Sequence, residues 1–396
     1  MKILLITQNF YPELGPAANR IKIIFKLLLK SKHDAYVLTT TPTYPTKELY
    51  KDNRYFNDEF INNYSRKNIY RLKIKHLKQS NKLYLRLLYF ANEFISLRCF
   101  LKKHQYNYEY IYVTSPNIFM AWAVLFFKKK NINYILEIRD LWPDSANHIE
   151  GINIKLLMPL LKYLEKKMYV AADKIVINNL SFGQYINNII VKTPIFYLPN
   201  AIQQSEMPNS SKHKTFSVIY TGNVGHAQDV NKLIEIAKKL NNHCIQLTLI
   251  IYGVKADYFK KKVNHLKYVS IKPPLNRQEC LKEIAKSHIS LSILKSSEIF
   301  LNVMPGKLVD AISMGTIPVT NLGGHAETII NDNYIGIAKK NIGVDDLITK
   351  IIELKKQPEL QKQMQKNAIN YRNNNFIWEN NIKNLENFLL EGDYYG

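Results

Sequence analysis

The chain has no apolar run long enough to cross a bilayer. Its longest, residues 118–127 (IFMAWAVLFF), is about half of the roughly 18 to 20 residues a span requires. It reads as a buried helix with Lys128, Lys129 and Lys130 at its favourable C-terminal end. Cysteine is scarce: Cys99, Cys244 and Cys280 are scattered without metal-ligand spacing, and an odd count makes no disulfide framework, so a reducing compartment fits. The opening MKILLITQNFYP offers one Lys and a brief apolar run ending in polar residues, which is a first strand and not a secretory signal. Low-complexity tracts, Asp-x-Asp and clusters of His or Cys are also missing, so neither long disorder nor a metal site is expected. Nor does G-x-G-x-x-G follow the first strand, which argues against a nicotinamide dinucleotide.

What is present suits a globular α/β protein. A length of 396 residues is too great for one compact core, so two domains are expected, and 46% hydrophobic residues give each ample material. Acidic residues are few. The net charge is +23, of which residues 1–200 carry +16 and residues 201–396 carry +7. Within the first half, residues 66–105 hold eleven basic side chains against the single acid Glu93, interleaved with Tyr84, Leu87, Leu88 and Phe94. A basic helical strip of this kind suits an anionic membrane surface, with cations near lipid head groups and aromatic residues at the interface. A solvated basic face is the plainer alternative. Nucleic acid is not expected, because no recognised nucleic-acid motif accompanies the charge.

Buried-strand runs alternate with helical periodicity along both halves, and a polar, aperiodic stretch at residues 202–215 marks a linker. The strand over residues 134–138 delivers Glu137, Arg139, Asp140 and Asp144 to one strand end beside Trp142. Four ionisable groups within eight residues are costly to bury without partners and mark a candidate site. Asp140 is a candidate to bond a ligand's polar group, with Arg139 orienting it or touching phosphate; alternatively the two pair with each other and cap the next turn. In the second half, the turn T-G-N-V-G-H-A-Q places Gly222, Asn223, Gly225 and His226 between a strand and a helix that offers amides to an anion.

The most informative stretch is residues 302–319, NVMPGKLVDAISMGTIPV. Pro305 and Gly306 open a short helix, Gly315 closes it and a β-branched strand follows. The amides around Gly306, Lys307 and Leu308 then head the helix. Lys307 in a first turn opposes the macrodipole unless an anion sits between them, and a nucleotide diphosphate would supply one. A solvated Lys on an ordinary crossover helix is the alternative.

The stretches QNFYPELGPAANR, TSPNIFMAW, EIRDLWPDS, YTGNVGHAQDV and VMPGKLVDAISMGTIPV resemble family 4 glycosyltransferases of the GT-B fold, in the family's order over most of the chain. Within that family they resemble bacterial enzymes that add amino-deoxy sugars such as N-acetyl-fucosamine to lipid-linked O-antigen or capsule polysaccharide. The resemblance implies two Rossmann-like, doubly wound domains facing across a cleft: residues 1–200 for the acceptor, 201–375 for the nucleotide sugar, and 376–396 as a helix returning to the first. It implies a retaining, metal-independent transferase with a UDP-sugar donor and a lipid-linked sugar acceptor, cytoplasmic and peripheral on the inner membrane face. Gly15, Asn19 and Arg20 then face the acceptor, with Arg20 near its phosphate; a surface cation is the plainer reading of Arg20. Relatives read the nucleobase with backbone at the position of Ile271 and place a basic residue where His226 stands. The family's paired Glu map to Asn302 and Asp310, of which Asp310 keeps a carboxylate for the donor ribose. A UDP-sugar 2-epimerase of the same fold and a non-catalytic membrane-recruited scaffold are the rival readings.

Overall fold

A computed structural model describes residues 1–13, 15–43, 47–74, 83–144, 157–296 and 303–390. The chain divides into two compact units, Met1–Leu198 with Ile382–Gly396, and Pro199–Asn381.

Unit 1 runs β1 (Lys2–Ile6), α1 (Pro16–Lys30), β2 (Asp34–Thr40), α2 (Glu59–Tyr64), β3 (Ile69–Leu72), α3 (Leu83–His104), β4 (Tyr110–Thr114), α4 (Ile118–Leu125), β5 (Asn133–Ile138), α5 (Met158–Ala171), β6 (Lys174–Ile177), α6 (Leu180–Asn187) and β7 (Ile195–Tyr197). Its described strands form one parallel sheet in the order β3-β2-β1-β4-β5-β6-β7. Ile3, Leu4, Leu5 and Ile6 are all fully buried, as a strand covered on both faces requires. Pro16 starts α1, and Ile21, Ile24, Phe25 and Leu28 recur on its buried side. Asn117 caps α4 by accepting from the Met120 amide at 3.3 Å.

Unit 2 runs β8 (Ser217–Asn223), α7 (Val230–Asn242), β9 (Gln246–Tyr252), α8 (Ala256–Val263), β10 (Val269–Lys272), α9 (Arg277–Lys286), β11 (Ile289–Ser292), α10 (Gly306–Ser313), β12 (Ile317–Thr320), α11 (Gly324–Asp332), β13 (Ile337–Ala338), α12 (Val344–Lys355), α13 (Pro358–Asn375) and α14 (Trp378–Leu390). Its described strands are again parallel, in the order β10-β9-β8-β11-β12-β13. Helix α14 begins in unit 2, where Trp378 donates its amide to Ile202 at 2.9 Å. From Ile382 it belongs to unit 1, where Lys174 Nζ bonds the carbonyls of Phe388 and Leu389 and Phe196 stacks on Phe388 at 5.1 Å.

Strand order reverses at β1/β4 in unit 1 and at β8/β11 in unit 2. In open parallel sheets the crevice outside the carboxyl ends at such a reversal is where ligands sit.

Two expectations change. Residues 66–105 are not one helical strip: Ile69–Leu72 is the edge strand β3, and Lys75, Lys78 and Lys82 lie outside the described residues. Arg71 and Arg98 are also engaged inward, Arg71 on the carbonyl of Tyr11 at 2.5 Å and Arg98 on that of Ala123 at 3.1 Å. Among the described residues no helix is long and apolar enough to cross a membrane.

Candidate functional site

In unit 2 the site grows from the end of β8. Gly222 has φ +95°, a backbone state that a side chain resists, and a Cβ there would stand 2.9 Å from Lys307 Nζ. The two residues are thus fitted to each other. Helix α10 begins at Gly306 after Pro305, which occupies the capping position in extended conformation. Its first turn sends the Lys307 side chain back to β8, where Nζ bonds the Thr221 carbonyl, lies 3.3 Å from that of Asn223 and sits 4.4 Å from the Tyr220 ring centre. Burial pulls this ammonium down to about 8, with Cys280 and Asp310 partly offsetting the effect. A cation this desolvated, held by carbonyl dipoles and a ring face, is poised to gain from an anion.

The amides divide more finely than expected. Leu308 is fully buried and its N–H is taken by the Pro305 carbonyl at 3.0 Å, so among the described residues the amides of Gly306 and Lys307 are the ones left to face outward at the head of α10. The start of α7 is likewise taken: Asp229 caps it through the Lys232 amide at 3.0 Å, and the Gly225 amide donates to Gln228 Oε1 at 2.7 Å. A carboxylate at that helix start disfavours a second anion there. Asn223 and His226 stand exposed on the turn. Ile271 is half-buried on the edge strand β10 against the unit 2 core. Asn302 lies outside the described residues.

Asp310 meets a partner that sequence reasoning missed. Arg277, at the start of α9, grips both of its oxygens at 2.7 and 2.8 Å and also reaches Glu206 at 3.1 Å. Burial works against the charge of Arg277, yet Asp310 and then Glu206 more than offset it and raise its pKa. In this structure Asp310 is therefore ion-paired, and a ribose hydroxyl there would share the carboxylate with the guanidinium. No local signal in the sequence links two residues 33 positions apart.

In unit 1 the expected surface groups are core groups. Arg20 and Glu137 are both essentially inaccessible. They pair at 2.7 Å, and a second guanidinium nitrogen bonds the Leu198 carbonyl at 2.8 Å. Arg20 is thus neither a surface cation nor open to an acceptor phosphate, because one face of α1 is turned onto the sheet. Glu137, the penultimate residue of β5, points into the sheet's cover and not to its edge. Arg139 follows, its amide on Ser115 Oγ at 2.7 Å. Burial lowers its pKa; Glu137 opposes that, and Arg20 adds to it. Arg20 alone bonds the Glu137 carboxylate, and Arg139 feels that charge only through space. Asp140 is exposed, yet loss of surrounding water raises its carboxyl above the usual range, with Arg139 pulling it back. Gly15 and Asn19 stand exposed at the start of α1, and a Cβ at Gly15 would meet open space.

A second polar group sits at the β1/β4 reversal. Glu93 of α3, fully buried, accepts from Asn117 Nδ2 at 2.5 Å, Tyr89 OH at 3.1 Å and Gln8 Nε2 at 3.4 Å. The loops after β1 and β4 are thereby tied to one helix. Glu93 had stood out only as the lone acid of its region.

These geometries meet the comparisons with known proteins. Residues 202–371 match the family model of glycosyl transferases group 1. An uncharacterized glycosyltransferase of Methanocaldococcus jannaschii is 21% identical over 97% of this chain and 96% of its own length. Among solved structures, sucrose-phosphate synthase of Thermosynechococcus elongatus superposes with a TM-score of 0.72 at 12% identity, covering 98% of both chains. Anabaena HepE in complex with UDP superposes with a TM-score of 0.66 at 12% identity, covering 98% of this chain and 99% of its own. The fold is GT-B: two parallel-sheet, Rossmann-like units. Match and architecture together support a GT-B glycosyltransferase of the group 1 kind, and the matched residues include the Lys307 turn.

Proposed function

We propose that the chain transfers a sugar from a UDP-sugar to a polyprenyl-diphosphate-linked sugar at the inner membrane face, during surface polysaccharide synthesis. The transferred group in this reading is an N-acetylated 6-deoxyhexosamine and its configuration is retained. The observation that carries the proposal is Lys307: a half-buried ammonium resting on carbonyl oxygens at the end of β8, beside the first amides of α10. A nucleoside diphosphate exchanges weak carbonyl dipoles for full negative charge. The UDP bound to HepE favours uridine as the base.

In the reaction the anomeric carbon–oxygen bond of the donor breaks while the acceptor hydroxyl bonds the same carbon. The departing diphosphate takes the hydroxyl proton on the same face. The amides of Gly306 and Lys307 and the Lys307 ammonium stabilise the charge that develops on the leaving group, so no metal is needed. In unit 1, Asp140 positions a sugar hydroxyl, and the positive charge of Arg139 suits an acceptor phosphate. Gly15 and Asn19 complete the acceptor side.

A thermal-shift screen of UDP-, GDP- and TDP-sugars, followed by transfer to a lipid-linked acceptor, tests the reading. UDP-sugars alone should raise the melting temperature. Asp140→Asn should lose turnover with UDP affinity nearly intact; full activity in that variant would remove Asp140 from the mechanism. Conversion of the donor into an isomer without acceptor, seen by NMR, would replace transfer by epimerisation, and no stabilisation by any nucleotide sugar would leave a scaffold.

A further inference from the structure

The loop after β1 is held from both sides. Gln8 follows the strand at the β1/β4 reversal and is half-buried. Its carbonyl accepts from Thr40 Oγ1 at 3.0 Å and Thr39 Oγ1 at 3.4 Å, both on β2. From the other neighbour, Thr114 Oγ1 at the end of β4 donates to Thr7 Oγ1 at 3.3 Å, which in turn donates to the Asn9 carbonyl at 3.1 Å. The backbone around Gln8 is thereby fixed at the place where an open parallel sheet receives its ligand.

The direction of the Gln8 side chain is set by charge. Its Nε2 lies 3.4 Å from Glu93 Oε1 and 3.5 Å from Tyr89 OH. These contacts are long for hydrogen bonds, yet they decide which way the carboxamide faces. A carboxylate only accepts, so the amide nitrogen is drawn toward Glu93, and the amide oxygen in that place would be repelled. Glu93 cannot turn away. It is fully buried and accepts from Asn117 Nδ2 and Tyr89 OH, while Asn117 Oδ1 is held by the Met120 amide. Burial, and then the Glu93 charge, raise the Tyr89 pKa, so that hydroxyl keeps its proton. Two shorter donors already serve the buried acid, so Gln8 owes more to Glu93 than Glu93 owes to Gln8. With its nitrogen turned inward, Gln8 Oε1 is turned away from the acid, and no described residue donates to it.

We infer that Gln8 Oε1 accepts a hydrogen bond from a ring hydroxyl of the acceptor sugar, and that Glu93 is the positioning residue that keeps this oxygen toward the crevice. This rests on the reading of unit 1 as the acceptor side and names a group there that selects the sugar. A bare oxygen of fixed direction calls for a donor. A sugar hydroxyl supplies one, whereas a phosphate or carboxylate has no hydrogen to give.

Saturation-transfer NMR on the full chain tests this, with the methyl glycosides of glucose, galactose and their N-acetylamino forms, and the single-deoxy analogues of each. Wild type should bind at least one glycoside, and removing one of its hydroxyls should weaken binding about tenfold. Gln8→Leu should bind that parent and that analogue alike. Glu93→Gln is nearly isosteric but can offer its own amide hydrogens to Gln8 Oε1, so it should lose most of the discrimination. The exchange Gln8→Glu with Glu93→Gln again sets one carboxylate against one carboxamide and turns a bare oxygen outward, so it should restore it. A network that only holds the fold would lower melting temperatures and leave selectivity as it is. UDP affinity by calorimetry should match wild type in every variant; should Gln8→Leu not fold, Gln8→Ser is read in its place. No glycoside bound by wild type, the same analogue still rejected without Gln8, full selectivity in Glu93→Gln, or an exchange that restores nothing would each overturn the inference. Selective glycoside binding without UDP binding would leave Gln8 standing and remove the donor reading, and UDP binding without selectivity would do the reverse.

Discussion

At the carboxyl ends of unit 2 an ammonium rests on backbone carbonyls and a ring, whereas at those of unit 1 the deepest cation, Arg20, is met by the carboxylate Glu137. The sheets share a plan, parallel with one reversal, yet they place charge differently. An ion pair sealed in the core is a structural fixture: its partners are already matched, and breaking it leaves a charge with nowhere to go. A desolvated cation held only by dipoles keeps the capacity to take up an anion. The comparison separates charges that build the fold from charges that wait for a ligand.

The largest effect that would sharpen it is on stability. Glu137→Ala strands the Arg20 guanidinium and should cost about 3–5 kcal/mol in chemical denaturation. Arg20→Met should cost a similar amount, and the double variant less than their sum; additive losses would mean that the pair is not coupled. Lys307→Met should do the reverse, leaving unfolding nearly unchanged while weakening UDP by about 1.5–3 kcal/mol, read by calorimetry. Gly222→Ala strains a positive φ and pushes a methyl toward Lys307 Nζ, so it should cost about 1–2 kcal/mol of stability and some UDP affinity as well. The smallest change belongs to Arg277→Ala. Its pair with Asp310 is half in solvent, so a loss of about 1 kcal/mol or less is expected. A larger loss would move Arg277 into the class of Arg20.

Much of the fold was legible. Runs such as KILLI and IFMAWAVL are apolar throughout because both faces of the element are covered, and the helix expected within residues 376–396 is α14. Strand β3 was missed because Ile69–Leu72 is a four-residue edge strand with Tyr70 exposed and Arg71 turned inward, so it shows neither a long run nor alternation. The site was half legible. Lys307 announces itself by opposing the helix macrodipole, and Gly222 by its turn. The direction of the Lys307 side chain depends on where β8 lies, 84 residues away, which no local pattern encodes. The same holds for Arg20 with Glu137, 117 residues apart, where pairing converts an apparent surface residue into a core one. Asp229, which caps α7 by accepting from the Lys232 amide, was not singled out from the sequence.

The central claim is that the Lys307 ammonium receives the diphosphate. Burial holds the free lysine near about 8, and a bound diphosphate would raise it again, so above that pH binding must bring a proton in. Titration calorimetry of UDP at a pH just above 8, in buffers of different ionisation enthalpy, reads that proton directly. The wild type should show proton uptake and an affinity that falls as pH rises through that value, and Lys307→Met should show neither. No uptake by the wild type, with equal affinity in the variant, would contradict the account.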